Sequence, residues 1–369
     1  MTKRENKKNN KKRLLLLILL LVLSIMLVGI SSYAWFTSNK KVSVDDLNVD
    51  VRAVNGLEIS ADAVNWGVKI DKDNLIQNEW VDQNNQLPDS LGNVSTVGNV
   101  VEDDLGNNYI EFFDGSVATE CPNGEPDCEN ATYTLTAFKK GEKRCYDSDA
   151  SGAANSTAGI DKCGTTGKHL MAFDIYLKVD KDDTKLYLTE NAGVTNTSAT
   201  DLGIKNTTRV AFLQRGFIDY TTYRDGDGTS EGVALAQELN DAGDVIIWEP
   251  NFNTHTSAGV AAAKTFYNIE NLNVGDNNSA VAYEGVKAEI TSPIDLTKTN
   301  STQYPAYFQS VVPSIKSEAT NHSRLDTGIT LDSGVTKLRV YFWVEGQDVD
   351  TENRATGSNM KLDLEFSID

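Results

Sequence analysis

Four cysteines lie close together in one polar stretch of the 369-residue chain, and their spacing is Cys121-x6-Cys128 followed by Cys145-x17-Cys163. In an oxidising environment an even number of cysteines predicts two disulfides. Three pairings exist, and we favour the sequential one because both of its loops are short. A zinc site is the alternative, although these cysteines lack the closely spaced pairs that zinc sites use. We predict a disulfide-pinned insertion over about residues 121–165.

Histidine chemistry has little support in the sequence. Three histidines are present: His169, His255 and His322. None belongs to a His-Glu-x-x-His pair, and no Gly-x-Ser-x-Gly motif presents a nucleophile. His255 is accompanied by Glu249, Asn251 and Asn253, but a lone histidine after a strand is more often a polar turn residue than a metal ligand. We therefore predict no catalytic residue, no metal site, no cofactor and no enzyme activity.

Two acidic clusters contain the hard oxygen ligands that calcium uses, Asp225-Gly-Asp-Gly-Thr-Ser-Glu231 and Asp180-Lys-Asp-Asp183. The twelve-residue EF-hand pattern counted from Asp225 places Ser230 where Gly is needed and Ala236 where Glu is needed. We interpret both clusters as solvated turns, with calcium binding as the alternative.

The N-terminal segment differs from the rest of the chain in charge. The formal net charge is −19, yet most of the residues before Leu14 are basic or polar, and residues 14–30 form an apolar run with one Ser and one Gly. This order predicts either a secretory signal peptide over residues 1–34 or an uncleaved signal anchor that crosses the membrane through residues 14–30. Both place residues 35–369 outside the cell membrane. The acidic remainder would repel phosphate backbones, so we expect no nucleic-acid partner.

Beyond residue 42 the apolar pattern has period two far more often than 3.6, which predicts strands. The clearest runs are 171–179, 337–345 and 360–368, each read as an antiparallel strand with one solvated face. Helical pattern is limited to about residues 232–240 and 258–264, besides one hydrophobic helix at the N-terminus. Residues 82–108 and 121–165 read as long loop insertions. The predicted fold is mostly β, an antiparallel β-sandwich or jelly roll formed by residues 35–369.

The junction Ser31-Ser-Tyr-Ala-Trp-Phe-Thr-Ser38 resembles the end of signal peptides that are processed by SipW-type signal peptidases in the TasA/camelysin family of Gram-positive surface proteins. Tyr33, Ala34, Trp35 and Phe36 fill the small-aromatic-Ala-aromatic-Phe motif, so the resemblance implies cleavage after Ala34. The segments 173–178, 209–212, 247–251, 340–346 and 362–366 also look like blocks of surface proteins that carry this signal.

The resemblance implies an exported, extracellular or cell-surface β-sandwich, often a subunit of extracellular-matrix fibres in biofilms. A structural protein that self-assembles is therefore the first functional hypothesis. A surface module that binds a glycan or a host ligand is the second, with Trp66, Trp80, Tyr220 and Tyr223 as stacking platforms. A camelysin-like metallopeptidase is the third, and the sequence contains no recognisable zinc motif for it.

One segment near the new N-terminus suits assembly. The segment that begins at Val42 alternates apolar and polar residues through Val51, with a register change at Asp45-Asp46. A strand of this kind completes either the sheet of its own chain or that of a neighbour, where main-chain hydrogen bonds supply affinity. The candidate donor-strand residues are Val42, Val44, Leu47, Val49 and Val51.

Overall fold

The computed structural model describes residues 44–75, 85–88, 91–102, 106–120, 132–140, 145–146, 170–198, 203–225, 231–257, 259–260, 294–295, 313–318, 322–346, 348, 350–351 and 358–369. Strands dominate this part of the chain and helices are few, which confirms the mostly-β prediction. The jelly-roll connectivity remains a prediction.

The strands are numbered along the chain. They are β1 (Val44–Ala53), β2 (Glu58–Ser60), β3 (Lys69–Asp71), β4 (Gln86–Leu87), β5 (Asn93–Glu102), β6 (Asn108–Glu120), β7 (Thr132–Lys140), β8 (Cys145–Tyr146), β9 (Leu170–Val179), β10 (Thr184–Leu188), β11 (Gly193–Asn196), β12 (Thr208–Asp219), β13 (Val245–Glu249), β14 (Ile294–Asp295), β15 (Ile315–Lys316), β16 (Leu325–Leu331), β17 (Gly334–Glu345) and β18 (Ser358–Ile368). A 3₁₀-helix spans Ile204–Thr207, and two α-helices, α1 (Tyr220–Asp225) and α2 (Glu231–Glu238), follow β12. The helix predicted at 232–240 is thus confirmed as far as Glu238, and most of the helix predicted at 258–264 lies outside the described residues.

Two sheets are formed by the described strands. The smaller has the order β16-β10-β18-β1-β3, with β11 also pairing with β18. The larger follows the path β14-β7-β6-β5-β17-β12-β13-β15, and β9 pairs with the other side of β17 and with β2 and β4. Strand β1 runs parallel to β18, so the first and last described strands of the chain lie side by side.

The main apolar core contains side chains from both sheets. Val51 and Phe366 come from the smaller sheet, and Phe173, Phe212 and Val340 come from the larger one. The rings of Phe212 and Phe366 meet edge to face with their centroids 5.8 Å apart. This burial of apolar surface is the dominant favourable contribution to folding.

Strands β9 and β17 correct the prediction of one solvated face, because nine of the ten residues of β9 and all twelve of β17 are buried. Val340 and Phe342 face the main core, whereas Tyr341 and Trp343 pack in a second cluster that includes Phe112 of β6. The centroids of Phe112 and Trp343 are 5.2 Å apart. The alternation was read correctly, but the polar side of the strand is covered by other parts of the chain.

Two further expectations are wrong. The sheets are mixed rather than purely antiparallel, since β1 runs parallel to β18 and short parallel pairings join β5 to β17, β4 to β8 and β13 to β15. Residues 82–108 are not simply a loop insertion, because β4 and the ten-residue β5 lie within them. β5 was not predicted because its apolar residues are separated by Ser, Thr, Gly and Asn, which are common in turns.

Candidate functional site

The segment predicted as a donor strand is β1, and in this structure it completes the smaller sheet of its own chain. Residues Val44–Ala53 pair in parallel with β18, and Asp50, Val51 and Arg52 also pair antiparallel with β3. The position that β1 occupies between β18 and β3 is called the acceptor groove below. A register shift between Val44 and Asp46 confirms the predicted irregularity near Asp45-Asp46.

The two faces of β1 have different chemistry, as its alternating sequence predicts. Val49, Val51 and Ala53 are 2%, 0% and 4% exposed and belong to the main core. Asn48 and Arg52 are exposed on the outer face. Apolar burial on one face and polar residues on the other specify the register, because a shift of one residue would invert every side chain.

Asp50 is the centre of the ionic contacts on the outer face. Its Oδ2 lies 2.9 Å from Lys361 Nζ on β18 and 3.5 Å from an Arg52 guanidinium nitrogen, and its Oδ1 lies 3.5 Å from Lys69 Nζ on β3. Lys361 Nζ also lies 2.7 Å from Asp363 Oδ1. The hydrogen bond from Lys361, helped by the charges of Lys69 and Arg52, holds the pKa of Asp50 below its ordinary value despite burial. The pair of acids raises the pKa of Lys361, through the bond to Asp363 first and the bond to Asp50 second.

A tight turn connects β1 to the rest of the chain. Asn55 and Gly56 both have positive φ, 61° and 89°, and both are exposed. Asn-Gly suits such a turn because Gly has no Cβ to clash and Asn tolerates the left-handed region. After this turn β2 pairs with β9 in the larger sheet. The chain therefore leaves the smaller sheet at residues 54–57. A movement of β1 out of the acceptor groove would have to bend the chain there.

Several predicted residues are only partly placed. Val44 and Leu47 lie in β1, but their side chains are outside the described residues, as are Val42 and the junction residues Tyr33, Ala34, Trp35 and Phe36. Cys145 is placed on strand β8 without a described side chain, and the predicted disulfides of Cys121, Cys128, Cys145 and Cys163 lie outside the description. Among the described residues no helix is long and apolar enough to span a membrane, and the run 14–30 is not among them.

His255 lies in a buried cluster of charged side chains that the sequence predicted only in part. Its Nδ1 is 3.2 Å from Asp350 Oδ2, and Asp350 Oδ1 accepts hydrogen bonds from the backbone N–H and the hydroxyl of Thr256. Nearby, Nη2 of the buried Arg209 lies 3.0 Å from both Glu249 Oε1 and Asp348 Oδ2. The cluster thus joins the start of β12, the end of β13 and the segment after β17. Glu249 and His255 were noticed together in the sequence, but Arg209, Asp348 and Asp350 come from distant segments.

This cluster suits a structural role. His255 and Asp350 are 6% and 0% exposed, so the imidazole is held against a buried carboxylate. Within the part of the chain that the structure describes, no group of three or more His, Cys, Asp and Glu side chains is arranged to hold a metal ion. The acidic turn at Asp180–Asp183 joins β9 to β10, where Asp182 accepts a hydrogen bond from Ser333 N–H.

Asp348 makes the stability of this cluster dependent on pH. Burial raises its pKa to about 7, and the neighbouring Asp350 and Glu249 add to this effect although Arg209 opposes it. A carboxyl that holds its proton more tightly in the folded chain contributes stability below pH 4, and that contribution is lost as the pH rises to about 7. We expect the free energy of unfolding of Asp348→Asn to fall less between pH 5 and pH 8 than that of wild type.

Urea unfolding at pH 5, 6.5 and 8 measures this effect. Asp326→Asn is the matched control, because Asp326 is exposed on β16. Its pH dependence should follow that of wild type. Equal slopes for wild type and Asp348→Asn would show that Asp348 does not titrate in this range.

A second buried ionic cluster lies on the face of the larger sheet opposite the main core. Asp174 Oδ1 is 2.8 Å from Arg339 Nη1, and its Oδ2 is 3.4 Å from Lys337 Nζ. Burial opposes the ionisation of Asp174, yet the charges of Arg339, Lys337 and Arg215 outweigh burial and hold its pKa well below the ordinary value. Lys337 also donates to the backbone carbonyl of Gln237 in α2. These pairs explain how β17 buries Lys337 and Arg339.

Three of the four aromatic residues named as stacking platforms lie in the part of the chain that the structure describes. Trp66 Nε1 donates to the hydroxyl of Tyr223, and Lys178 Nζ lies 4.5 Å from the centroid of the Trp66 ring. Trp66 also lines a cleft of about 450 Å³ together with Asp62, Asn65 and Lys69. Tyr220 is in α1 near Tyr223, and Trp80 lies outside the described residues.

Comparison of the chain with protein-family models, with curated proteins and with solved structures gives no match.

Proposed function

We propose that this chain is an exported cell-surface or extracellular-matrix structural protein, and that it forms biofilm-type fibres by β-strand addition. The observation that carries the proposal is the placement of β1. This strand pairs along its whole length with the last strand, β18, and it inserts three apolar side chains into the main core. A second copy of the same strand offers the acceptor groove identical hydrogen bonds and identical side chains.

The way β1 is tethered supports exchange between copies. No hairpin connects β1 to β18, because nearly the whole chain separates their sequences. The turn at Asn55-Gly56 is the point where β1 joins the part of the chain that enters the larger sheet. Repositioning the strand therefore requires a change at this short turn, while both sheets keep their remaining pairings. Exchange of an identical element between copies is a route to assembly that costs little free energy.

Export is supported by the N-terminal sequence. The basic segment, the apolar run 14–30 and the junction Tyr33-Ala-Trp-Phe36 are what a SipW-type signal peptidase would recognise, on the resemblance described above. Cleavage after Ala34 would leave about nine residues before β1, and these would add to the reach of the strand. An uncleaved chain would stay anchored in the membrane through residues 14–30, with the same β domain at the cell surface.

The proposal is tested on the exported protein itself. Mass spectrometry of its N-terminus and electron microscopy of the same sample decide between cleaved signal and anchor, and between fibre subunit and monomer. We expect an N-terminus at Trp35 and fibres in the extracellular fraction. A cleaved protein that stays monomeric at the concentrations found outside the cell would refute the fibre function.

Glycan or host-ligand binding is the second candidate, and the cleft beside Trp66 favours it. An indole ring next to carboxylate, amide and ammonium groups is a common setting for polar ring-shaped ligands. A glycan array with the purified exported protein tests this function. Hits that disappear in Trp66→Ala would support it, and an array without hits would remove its basis.

A further inference from the structure

The short connection between β1 and β2 limits the distance between two copies that exchange β1. Ala53 is the last residue of β1 and would lie in the acceptor groove of the second copy. Leu57 is 1% exposed and belongs to the main core, so it stays with its own copy. Four Cα-to-Cα steps join Ala53 to Leu57, and a fully extended chain covers about 14 Å in four such steps. Exchange therefore holds the two copies together at this turn.

Val68 lies beside the place where the exchanged strand ends. Its backbone carbonyl accepts a hydrogen bond from the N–H of Ala53 at 2.9 Å. When β1 comes from a second copy, the Ala53 of that copy donates the same hydrogen bond. The donor's Leu57 is then within about 14 Å of that position, so the body of the donor lies next to Val68 of the acceptor.

The loop that contains Val68 exposes apolar side chains. Only four large apolar side chains are exposed in the part of the chain that the structure describes, and two of them, Val64 and Val68, lie on this one loop, at 53% and 64% exposure. The partly exposed Trp66 lies between them in sequence. Val64, Trp66 and Val68 are called the apolar patch below. Single exposed apolar residues are normal on a protein surface, whereas a group of them indicates a contact surface.

Hydrogen bonds hold the loop of the apolar patch in one conformation. Asp62 is 7% exposed, and its Oδ1 accepts hydrogen bonds from the backbone N–H of Val64 at 2.9 Å and of Asn65 at 2.8 Å. At the base of the loop, Ile59 and Gly67 exchange two backbone hydrogen bonds of 2.8 and 2.9 Å. A surface that is already ordered loses less conformational entropy when it binds, so this loop suits a contact with another protein body.

We propose that the apolar patch is the surface through which the body of one copy of this chain contacts the body of the next copy in the fibre. This inference rests on the proposed function. The exchanged β1 supplies main-chain hydrogen bonds and core contacts, and the patch fixes the orientation of one body against the other. A second copy is the occupant because β1 itself tethers it beside Val68. Tethered surfaces meet at a high effective concentration, so a small patch is sufficient for this contact.

The test measures the lowest concentration at which the exported protein forms fibres. The double variant Val64→Ser, Val68→Ser keeps β1, the turn and the acceptor groove. Its threshold concentration should rise at least about tenfold, because apolar contact between the two bodies is lost. Far-UV circular dichroism and urea unfolding establish that the variant folds.

Val97→Ser is the matched control for the double variant. Val97 is partly exposed on β5, and β5 joins β17 at Val344 and Glu345. Strand β2, which follows the turn, lies near the opposite end of β17, because its partner Lys178 on β9 pairs with Val335. The control therefore makes the same chemical change far from the turn, and its threshold concentration should equal that of wild type.

A second measurement needs no variant. Hydroxyl-radical labelling followed by mass spectrometry reports the exposure of side chains in wild-type monomers and in wild-type fibres. Labelling of residues 61–68 should fall at least about twofold in fibres, because the centre of an interface excludes solvent. Labelling of the peptide that contains Val97 should stay the same.

The outcomes separate this inference from the proposed function. Wild-type chains that stay monomeric would overturn the proposed function and the inference with it. Wild-type fibres in which residues 61–68 stay as exposed as in the monomer would overturn the inference alone, as would equal threshold concentrations for wild type and the folded double variant. Unchanged assembly of the double variant together with loss of its glycan binding would assign the patch to a ligand and would also overturn the inference.

Discussion

Replacing Arg209 by leucine is expected to lower the free energy of unfolding by about 3–5 kcal/mol. Arg209 is 1% exposed, and its guanidinium lies between the buried carboxylates of Glu249 and Asp348, with Asp350 beside them. Leucine fills part of the volume but leaves these acids without their shared cation. Breaking a buried ion pair by removing one partner is costly because the remaining charge stays in a poorly solvated place.

Urea unfolding of the exported domain at pH 8 measures the loss for Arg209→Leu, and two variants identify its cause. Arg324→Leu removes an exposed arginine that stacks 3.6 Å above the Tyr187 ring centroid, and we expect a loss of about 1 kcal/mol or less. Adding Asp348→Asn to Arg209→Leu should restore part of the stability, because one unpaired carboxylate is neutralised. A loss below about 1 kcal/mol for Arg209→Leu would mean that the cluster does not stabilise the fold.

Val51→Asp is expected to abolish fibre formation, reducing fibre mass at least about tenfold. Val51 is fully buried and pairs with Leu364 on one side and Ile70 on the other. An ionised carboxylate at this position costs several kcal/mol, and each 1.4 kcal/mol changes an equilibrium constant tenfold. The strand would lose its place in the acceptor groove of its own chain and in that of a second copy.

Asn48→Asp is the matched control for Val51→Asp. It adds the same charge to the same strand, but on the exposed face and opposite Lys361 in the β1–β18 register. Fibre mass in the extracellular fraction, measured by sedimentation and electron microscopy, should match wild type for this control. Normal fibre yield from Val51→Asp would show that β1 is not the strand that joins the subunits.

Local pattern was sufficient to predict β9, β17, β18 and the two faces of β1. The alternation of Val49 and Val51 with Asn48 and Asp50 is a property of neighbouring residues, and period two is specific to extended backbone. The short turn at Asn55-Gly56 is also a local feature, since few residues other than Asn and Gly adopt positive φ easily.

Pairing between distant segments could not be predicted in the same way. The periodicity of β1 does not indicate that β18 is its partner, and it does not indicate that the two strands run parallel. For the same reason Arg339 on β17 was assigned to a solvated face. Its partner Asp174 lies on β9, and a polar residue with a buried partner has the same pattern as one that faces water.

The most direct test of assembly by strand addition is a disulfide between register partners of β1 and β18. Arg52 and Glu365 are paired in the ladder and are not fully buried, so Arg52→Cys with Glu365→Cys in one chain places two thiols side by side. Fibres of this variant are oxidised and then analysed by denaturing electrophoresis without reductant. Wild type, which has only the native cysteines, gives the background. Lys185→Cys with Thr330→Cys joins β10 to β16 within one chain and should give monomers.

We predict a ladder of covalent multimers for the Arg52–Glu365 pair, because each β1 occupies the acceptor groove of a neighbouring copy. Cross-linked monomers alone, from well-formed fibres, would show that β1 stays in its own chain and would contradict assembly by strand addition.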